Sequence, residues 1–161
     1  MSLARNFLYD TRFGAVVLAL LICAGGASAQ SQFNPNNDEV TDTRTGLVWK
    51  RCSEGQTWDG STCTGSATGF SHEGALLHAQ AQAGTAGWRL PNVKELSSLA
   101  DRTRANPAIH VTTFPATPSS YYWTSTPSAN SADAWVVSFD SGQFNTFYGG
   151  RNMAWFVRLV K

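Results

Sequence analysis

The N-terminal segment constrains this chain more than any other feature, because it places folding outside the cytoplasm. Residues 1–29 have the pattern of a secretory signal, with two early arginines, an apolar run of 12 residues at 13–24, and small residues at 27–29 for cleavage. The apolar run is shorter than the ~20 residues that span a bilayer, so we expect cleavage rather than a retained membrane anchor. The mature domain is then residues 30–161, exported to the periplasm, the cell surface or the medium.

Signal cleavage also changes the number of cysteines. The full chain has three, and the loss of Cys23 leaves Cys52 and Cys63 as one pair in an oxidising compartment, where disulfides persist. We expect them to form a disulfide that closes a loop of 12 residues and adds about 3 kcal/mol of stability. Cys23 keeps a lipoprotein alternative open, although Ile22 stands where lipidation signals have a small residue.

Composition limits the class of partner. The mature 132 residues hold ten basic and ten acidic side chains, so the domain is formally neutral. It has no global positive field for a nucleic-acid backbone, and we expect no nucleic-acid binding. Binding of a polyanion needs a local basic cluster, for which the sequence offers Arg44, Lys50 and Arg51, or Arg102 and Arg104.

Two helices are expected in the middle of the chain. Apolar residues recur at helical spacing over 71–83, with Ser71 as the N-cap, and the glycines that follow end this helix. His72 lies in its first turn, where we expect it to be solvated. Asn92 and Glu95 have the spacing of a capping box and predict a second, shorter helix.

Strand-like segments flank the helices. Before them, residues 39–42 and 46–50 predict two strands joined by a tight turn, and 53–69 predict a loop closed by the disulfide. After them comes a long surface segment, 103–120, which we expect Ile109 and Phe114 to hold by packing. Four further strands are predicted at Tyr121–Ser125, Ala134–Asp140, Gln143–Tyr148 and Ala154–Val160. This order is typical of an α+β fold.

Four segments together resemble the bacterial Lcl C-terminal domain family. They are NPNNDEVTDTRTGLVWKRC (34–52), WRLPNVKEL (88–96), YYWTST (121–126) and FVRLVK (156–161), and the resemblance covers nearly all of residues 33–161. It implies a C-type-lectin-like fold, with two helices packed on a small antiparallel sheet and the terminal strands paired. It also implies a compact extracellular binding module, which in collagen-like adhesins recognises sulfated glycans.

Several motifs of related proteins are missing. The chain has neither the Glu-Pro-Asn, Gln-Pro-Asp and Trp-Asn-Asp triplets of calcium-dependent lectins nor a collagen-like Gly-X-Y repeat. We therefore expect no metal ion and no cofactor in the recognition site. The hydrolase pattern G-x-S-x-G and the metalloprotease pattern H-E-x-x-H are also absent. We expect no enzymatic activity, and an enzyme acting on cell-wall polymer ranks last among the alternatives.

The expected function is recognition of a glycan, including a sulfated one, or of a protein, in the manner of an adhesin. The C-terminal loops have a Tyr, Asn and Gly composition that suits adaptable recognition. Trp58, inside the disulfide loop, is expected to be exposed, whereas most of the other tryptophans are expected to build the core. The candidate ligand-binding residues are Gln143, Asn145, Tyr148, Arg151, Asn152 and Trp58.

Alternatives to this function remain open. The C-terminal candidates also fit an ordinary polar surface loop, because most loops are polar. A protein-binding domain with variable loops and a structural subunit of an envelope assembly are the other two functions that the sequence allows. A glycan array tests glycan binding, and the genomic neighbourhood tests the variable-loop alternative. Recovery of one stoichiometric partner from envelope extracts tests the envelope subunit.

Overall fold

The computed structural model describes residues 31–145 and 148–161, without the side chain of Thr85. The signal predicted for residues 1–29 lies outside the described residues, as do residues 146 and 147 of the strand predicted over 143–148. Within them the fold is α+β, as predicted, with small antiparallel sheets and two helices. In chain order the elements are β1 (Phe33–Asn36), β2 (Glu39–Asp42), β3 (Val48–Lys50), β4 (Thr57–Trp58), β5 (Cys63–Thr64), α1 (His72–Ala86), α2 (Val93–Ser97), β6 (Tyr121–Pro127), β7 (Ala134–Ser138) and β8 (Phe144–Asn145).

The described strands form antiparallel sheets with the orders β1-β2-β3, β4-β5 and β6-β7-β8. β2 and β3 confirm the two strands predicted over 39–42 and 46–50, and their register pairs Val40 with Trp49. The sequence analysis missed β1, because Phe-Asn-Pro-Asn has the composition of a turn. Pro35 has no N–H to donate, but β1 is an edge strand, where a proline is tolerated.

The segment predicted as a disulfide-closed loop contains a hairpin. Cys52 and Cys63 are bonded, with an S–S distance of 2.06 Å, which confirms the predicted disulfide. β4 and β5 pair inside it, with Thr57 opposite Thr64 and Trp58 opposite Cys63. A strand of two residues is too short to show an alternation of polar and apolar residues, so this hairpin could not be predicted from the sequence.

Helix α1 confirms the first predicted helix and extends it. The Ser71 side chain accepts a hydrogen bond from the N–H of Gly74, as expected of an N-cap. The helix continues through Gly84 to Ala86, and it ends at Gly87, whose left-handed conformation (φ +73°) places its N–H on the carbonyl of Ala83. Among the described residues, no helix is long and apolar enough to cross a membrane.

Helix α2 confirms the second predicted helix and its capping box. Asn92 accepts from the N–H of Glu95 at 2.9 Å, and the Glu95 carboxylate accepts from the N–H of Asn92 at 2.8 Å. The same carboxylate accepts two hydrogen bonds from the Arg89 guanidinium, at 2.8 and 2.7 Å. These bonds from Arg89 lower the pKa of Glu95, so the carboxylate stays charged and paired.

The C-terminal segment corrects the prediction of a regular strand over 154–160. It forms isolated bridges to separate places instead of one continuous ladder, namely Trp155 to Phe70, Phe156 to Tyr122, and Val160 to Trp49 and Arg89. Its residues find partners on different elements, so no single neighbouring strand accompanies it. The last residue of the chain is nevertheless paired with β3 of the first sheet, because Val48 and Lys161 exchange backbone hydrogen bonds of 2.9 Å in both directions.

Hydrophobic residues from this segment enter two core clusters. Val160 packs in a cluster with the buried side chains of α2, β2, β3 and the 103–120 segment, which includes Ile109 and Phe114 as predicted. Val157 and Leu159 pack in the other cluster, against α1 and the first strand of the last sheet. Trp49, Trp88 and Trp123 are buried in these clusters, as expected, whereas Trp135 and Trp155 are half-buried.

Arg158 lies in the same segment and is fully buried. It faces away from Val157 and Leu159, because its guanidinium carbon lies 4.9 Å from the ring centroid of Phe114 in the other cluster. The alternation of polar and apolar residues in the sequence does not reveal that the side of the segment carrying Arg158 is also buried. A strand that is buried on both sides ordinarily has apolar residues throughout.

Backbone and hydroxyl oxygens surround the Arg158 guanidinium. It donates to the carbonyls of Lys50, at 2.9 Å, and Arg51, and to the hydroxyls of Thr117 at 2.8 Å and Ser53 at 3.3 Å. Burial lowers the pKa of this guanidinium. The four acceptors replace water around Nη1 and Nη2, which makes the burial tolerable, whereas Nε has no hydrogen-bond partner among the described residues.

Substitution Arg158→Leu is expected to lower the free energy of unfolding by about 3 kcal/mol. The acceptors that Arg158 satisfies would stay buried without donors, and one such group costs about 1–3 kcal/mol. Chemical denaturation of both proteins measures the difference. Arg104→Leu makes the same change at an exposed site and is expected to leave the free energy of unfolding nearly unchanged. Equal effects of the two substitutions would contradict a structural role for the buried arginine.

Candidate functional site

The predicted ligand-binding residues lie on separate surfaces. Arg151 and Asn152 line a cleft at the start of α1. Gln143 and Asn145 flank Phe144, whose side chain lines a cleft beside α2. Tyr148 stacks on Tyr121, with ring centroids 4.8 Å apart, and Trp58 lines a third cleft, beside the disulfide. Five of the six candidates thus come from one stretch of the chain, residues 143–152, but they do not line one cleft.

The cleft that contains Trp58, here called the disulfide cleft, is acidic. It has a volume of about 510 Å³ and is lined by Asp38, Glu54 and Asp59 and by a single cation, Lys50. Hydrogen bonds from the backbone of residues 61 and 62 lower the pKa of Asp59 and keep it charged. Trp58 is half-buried rather than fully exposed.

Two contacts, made by Arg51 and Glu54, already occupy the cations and the indole ring at this cleft. The guanidinium of Arg51 lies 3.8 Å from the ring centroid of Trp58, so a cation already contacts the indole. Glu54 is buried and accepts from His78 Nε2 at 2.5 Å, while Lys50 Nζ lies 3.1 Å from its other oxygen. The basic side chains that the sequence analysis grouped with Arg44 therefore already have partners here.

The cleft at the start of α1, here called the His72 cleft, has a volume of about 490 Å³. Its lining residues are Ser71, His72, Glu73, Leu76, Arg151 and Asn152. His72 is buried, which corrects the prediction of a solvated first turn. Its ring packs against Trp123 with centroids 5.1 Å apart, and its Nε2 lies 3.0 Å from the Thr124 carbonyl oxygen. His72 is buried because it lies on the side of the first turn that packs on β6, whereas Glu73 beside it is exposed.

The cleft beside α2, here called the α2 cleft, combines cations with aromatic rings. It has a volume of about 640 Å³ and is lined by Arg44, Val93, Lys94, Ser97, Ser98, Ala100, Trp135 and Phe144. Trp135 and Phe144 lie with ring centroids 5.9 Å apart, and Phe144 is 46% exposed. No carboxylate is among the described residues that line it.

Local structure positions each side chain of the α2 cleft. Lys94 is exposed in the first turn of α2, one residue before Glu95, which Arg89 already holds. Trp135 lies between two buried residues of β7, so the alternation of the strand directs it to the opposite face. Arg44 comes from the β2–β3 turn. Within the described residues, neither Lys94 nor Arg44 forms an ion pair.

Most of this cleft was not predicted from the sequence. Trp135 was grouped with the core tryptophans and Lys94 was not considered. Arg44 was expected in a cluster with Lys50 and Arg51 that the fold does not form. Arg104 of the other proposed cluster pairs with Asp101 at 2.8 Å. The one usable signal was Phe144, a large apolar residue between the polar residues 143 and 145 of a short strand.

Comparison with known proteins identifies the family. Residues 38–161 match the family model of the Lcl C-terminal domain. The chain belongs to this family. No curated protein and no solved structure matches it. The match confirms the family that the sequence segments indicated, over most of the chain. Within the described residues of this Lcl C-terminal domain, no three His, Cys, Asp or Glu side chains are placed to hold a metal ion.

The buried His72 is expected to make this Lcl C-terminal domain less stable in acid. Burial lowers the pKa of His72 below its ordinary value of 6.5, and the nearby Arg151 charge lowers it further. The folded protein therefore binds a proton at His72 less readily than the unfolded chain. The contribution is complete above pH 6.5 and is lost as the pH falls below that value.

Chemical denaturation at about pH 7.5 and about pH 5 tests this expectation. The wild type is expected to lose more free energy of unfolding between the two values than His72→Gln, because Gln can still donate to the Thr124 carbonyl but does not titrate. The control is His110→Gln, whose imidazole lies in a different part of the domain. An unchanged pH dependence in His72→Gln would rule out His72 as the source.

Proposed function

We propose that the chain is an exported recognition module, without enzymatic activity, that binds an acidic glycan at the cell envelope or outside the cell. The α2 cleft carries this proposal, because two cations that are unpaired within the described residues lie beside two aromatic rings. Membership of the Lcl C-terminal domain family supports it, since the resemblance implies extracellular recognition and, in adhesins, sulfated glycans.

We also propose that the topology is C-type-lectin-like. Two observations support this assignment. The last residue, Lys161, pairs with Val48 of the first sheet, and both helices come between the first and the last sheet in the chain.

The chemistry of the α2 cleft fits a sugar ring that carries a negative group. Phe144 and Trp135 offer apolar surface to the C–H face of the ring. Arg44 and Lys94 are placed to pair with a sulfate or carboxylate on the same unit. The disulfide cleft offers no such free cation, because its Lys50 pairs with Glu54 and the nearby Arg51 lies over Trp58, so the acidic glycan is expected at the α2 cleft.

A protein ligand is the second candidate. Val93 and Ala100 extend the apolar wall beside the aromatic rings, and protein interfaces are enriched in aromatic residues and arginine. A glycan array on which neither sulfated nor neutral glycans bind would favour this candidate. Recovery of one dominant stoichiometric partner from envelope extracts would then identify a structural subunit of an envelope assembly.

The double substitution Arg44→Gln and Lys94→Gln is expected to weaken binding of heparin, used as a sulfated probe, by roughly tenfold or more. Each lost hydrogen bond between charged groups contributes about 1.5–3 kcal/mol, and every 1.4 kcal/mol is about tenfold in affinity. Titration calorimetry of the wild type and the variant measures the change. Dextran serves as the neutral probe and is expected to be unaffected by this substitution.

The matched control is Ser66→Glu with Ala81→Glu, which lowers the net charge by the same amount at exposed sites in the disulfide segment and in α1. It is expected to bind heparin nearly as the wild type does, since neither residue lines the α2 cleft. Phe144→Ala separates stacking from charge, because it removes one ring and leaves both cations. Equal losses in the cleft variant and the control would show bulk electrostatics and contradict a site at the α2 cleft.

A further inference from the structure

Helix α1 exposes a face without charged residues. From Gly74 to Ala86 the sequence is GALLHAQAQAGTA, which contains no Asp, Glu, Lys or Arg. Leu76 and Leu77 are 41% and 58% exposed. A helix at a protein surface ordinarily carries charged residues toward solvent, whereas the centres of protein interfaces are depleted of them.

The exposed residues of this face change in size along the helix. Leu76, Leu77, Gln80, Ala83 and Gly84 recur at helical spacing and lie on one side, and they are here called the α1 face. The large side chains are in the N-terminal half and the small ones in the C-terminal half. Gln80 stands near the middle of the helix, which spans His72–Ala86.

Neither backbone conformation nor close packing within the described residues requires a glycine at position 84. A glycine inside a helix destabilises it relative to alanine. Gly84 lies within α1 without a positive φ, and a Cβ added to it would meet nothing within 4 Å. The open space above Gly84 would allow side chains of another protein to approach the helix backbone closely.

A depression runs alongside the α1 face. The His72 cleft and a second cleft of about 350 Å³, which includes Trp88 and Arg89, share Leu76 in their lining. Glu73, in the helix itself, and Arg151, from the C-terminal loop, border the depression near the start of the helix, and Arg89 borders it just beyond the end. Charged residues thus stand only at the two ends of the depression, with the acidic residue at the start of α1.

We propose that the α1 face binds a second copy of this chain, with the two α1 helices antiparallel about a two-fold axis near Gln80. In this arrangement Leu76 and Leu77 of each copy lie against Ala83 and Gly84 of the other, so large residues meet small ones. A parallel arrangement would place leucine against leucine and leave a gap at the glycines. Only the antiparallel pair is complementary in shape.

Charge complementarity favours the same arrangement. The antiparallel pairing brings Glu73 of one copy toward Arg89 of the other, and the two-fold axis repeats this contact. Arg89 also holds Glu95, but its side chain is 46% exposed and retains free donor positions. The two helix dipoles are also antiparallel, which is the favourable orientation. This self-association does not depend on the identity of the glycan at the α2 cleft.

Sedimentation velocity over a range of protein concentrations tests the proposal on protein purified from cells that express the full chain. The wild type is expected to form a concentration-dependent dimer. Gly84→Gln is expected to weaken dimerisation roughly tenfold or more, because its side chain fills the space that the leucines of the other copy need. The same substitution is expected to preserve or raise the thermal stability of the monomer, since glutamine favours the helix more than glycine.

Ala129→Gln is the matched control, because it adds a similar side chain at an exposed site in the β6–β7 connection and is expected to dimerise as the wild type does. Gln80→Cys places two thiols near the two-fold axis, so mild oxidation should cross-link the dimer, whereas Ala129→Cys should not. A wild type that stays monomeric at its highest soluble concentration would overturn the proposal. So would a dimer that Gly84→Gln leaves unchanged, since that dimer uses another surface.

Discussion

The buried positive charge of Arg158 is the interaction on which the rest of the fold depends. Its guanidinium joins the C-terminal segment to the backbone of Lys50 and Arg51, directly before the disulfide, and to Thr117 in the long segment before β6. Three parts of the chain that are far apart in sequence therefore meet at one side chain. Arginine can do this because its planar group presents five donors in fixed directions, which lysine does not.

This junction places the elements that form the α2 cleft. β3 is held to the last residues of the chain, and the β2–β3 turn that precedes it carries Arg44 to the cleft. α2 is fixed by the buried Leu96 and by a 2.9 Å hydrogen bond from the N–H of Val93 to the hydroxyl of Thr126 in β6. The candidate site therefore rests on secondary-structure elements whose positions are determined by the core, as precise recognition requires.

Local chemistry was predictable from the sequence, and long-range placement was not. The capping box of Asn92 and Glu95, the Ser71 cap and the Cys52–Cys63 bond follow from short spacings and were found. The burial of Arg158 and His72 was not, because charged or titratable residues in a strand or a first helical turn are usually solvated. The α2 cleft draws on four elements, and no spacing rule connects a turn at residue 44 with a strand at residue 144.

The domain is formally neutral, but its charges are distributed unevenly over the surface. The acidic and basic residues do not alternate evenly over the surface: carboxylates collect at the disulfide cleft, two cations face the α2 cleft, and the solvent side of α1 beyond Glu73 carries neither sign. At physiological ionic strength a charge acts over about 8 Å, so a ligand senses each surface separately rather than the net charge. A neutral domain can therefore attract an anionic group at one surface and exclude it from another. An uncharged helix face on the same domain leaves self-association free of the repulsion that a strongly charged protein would impose.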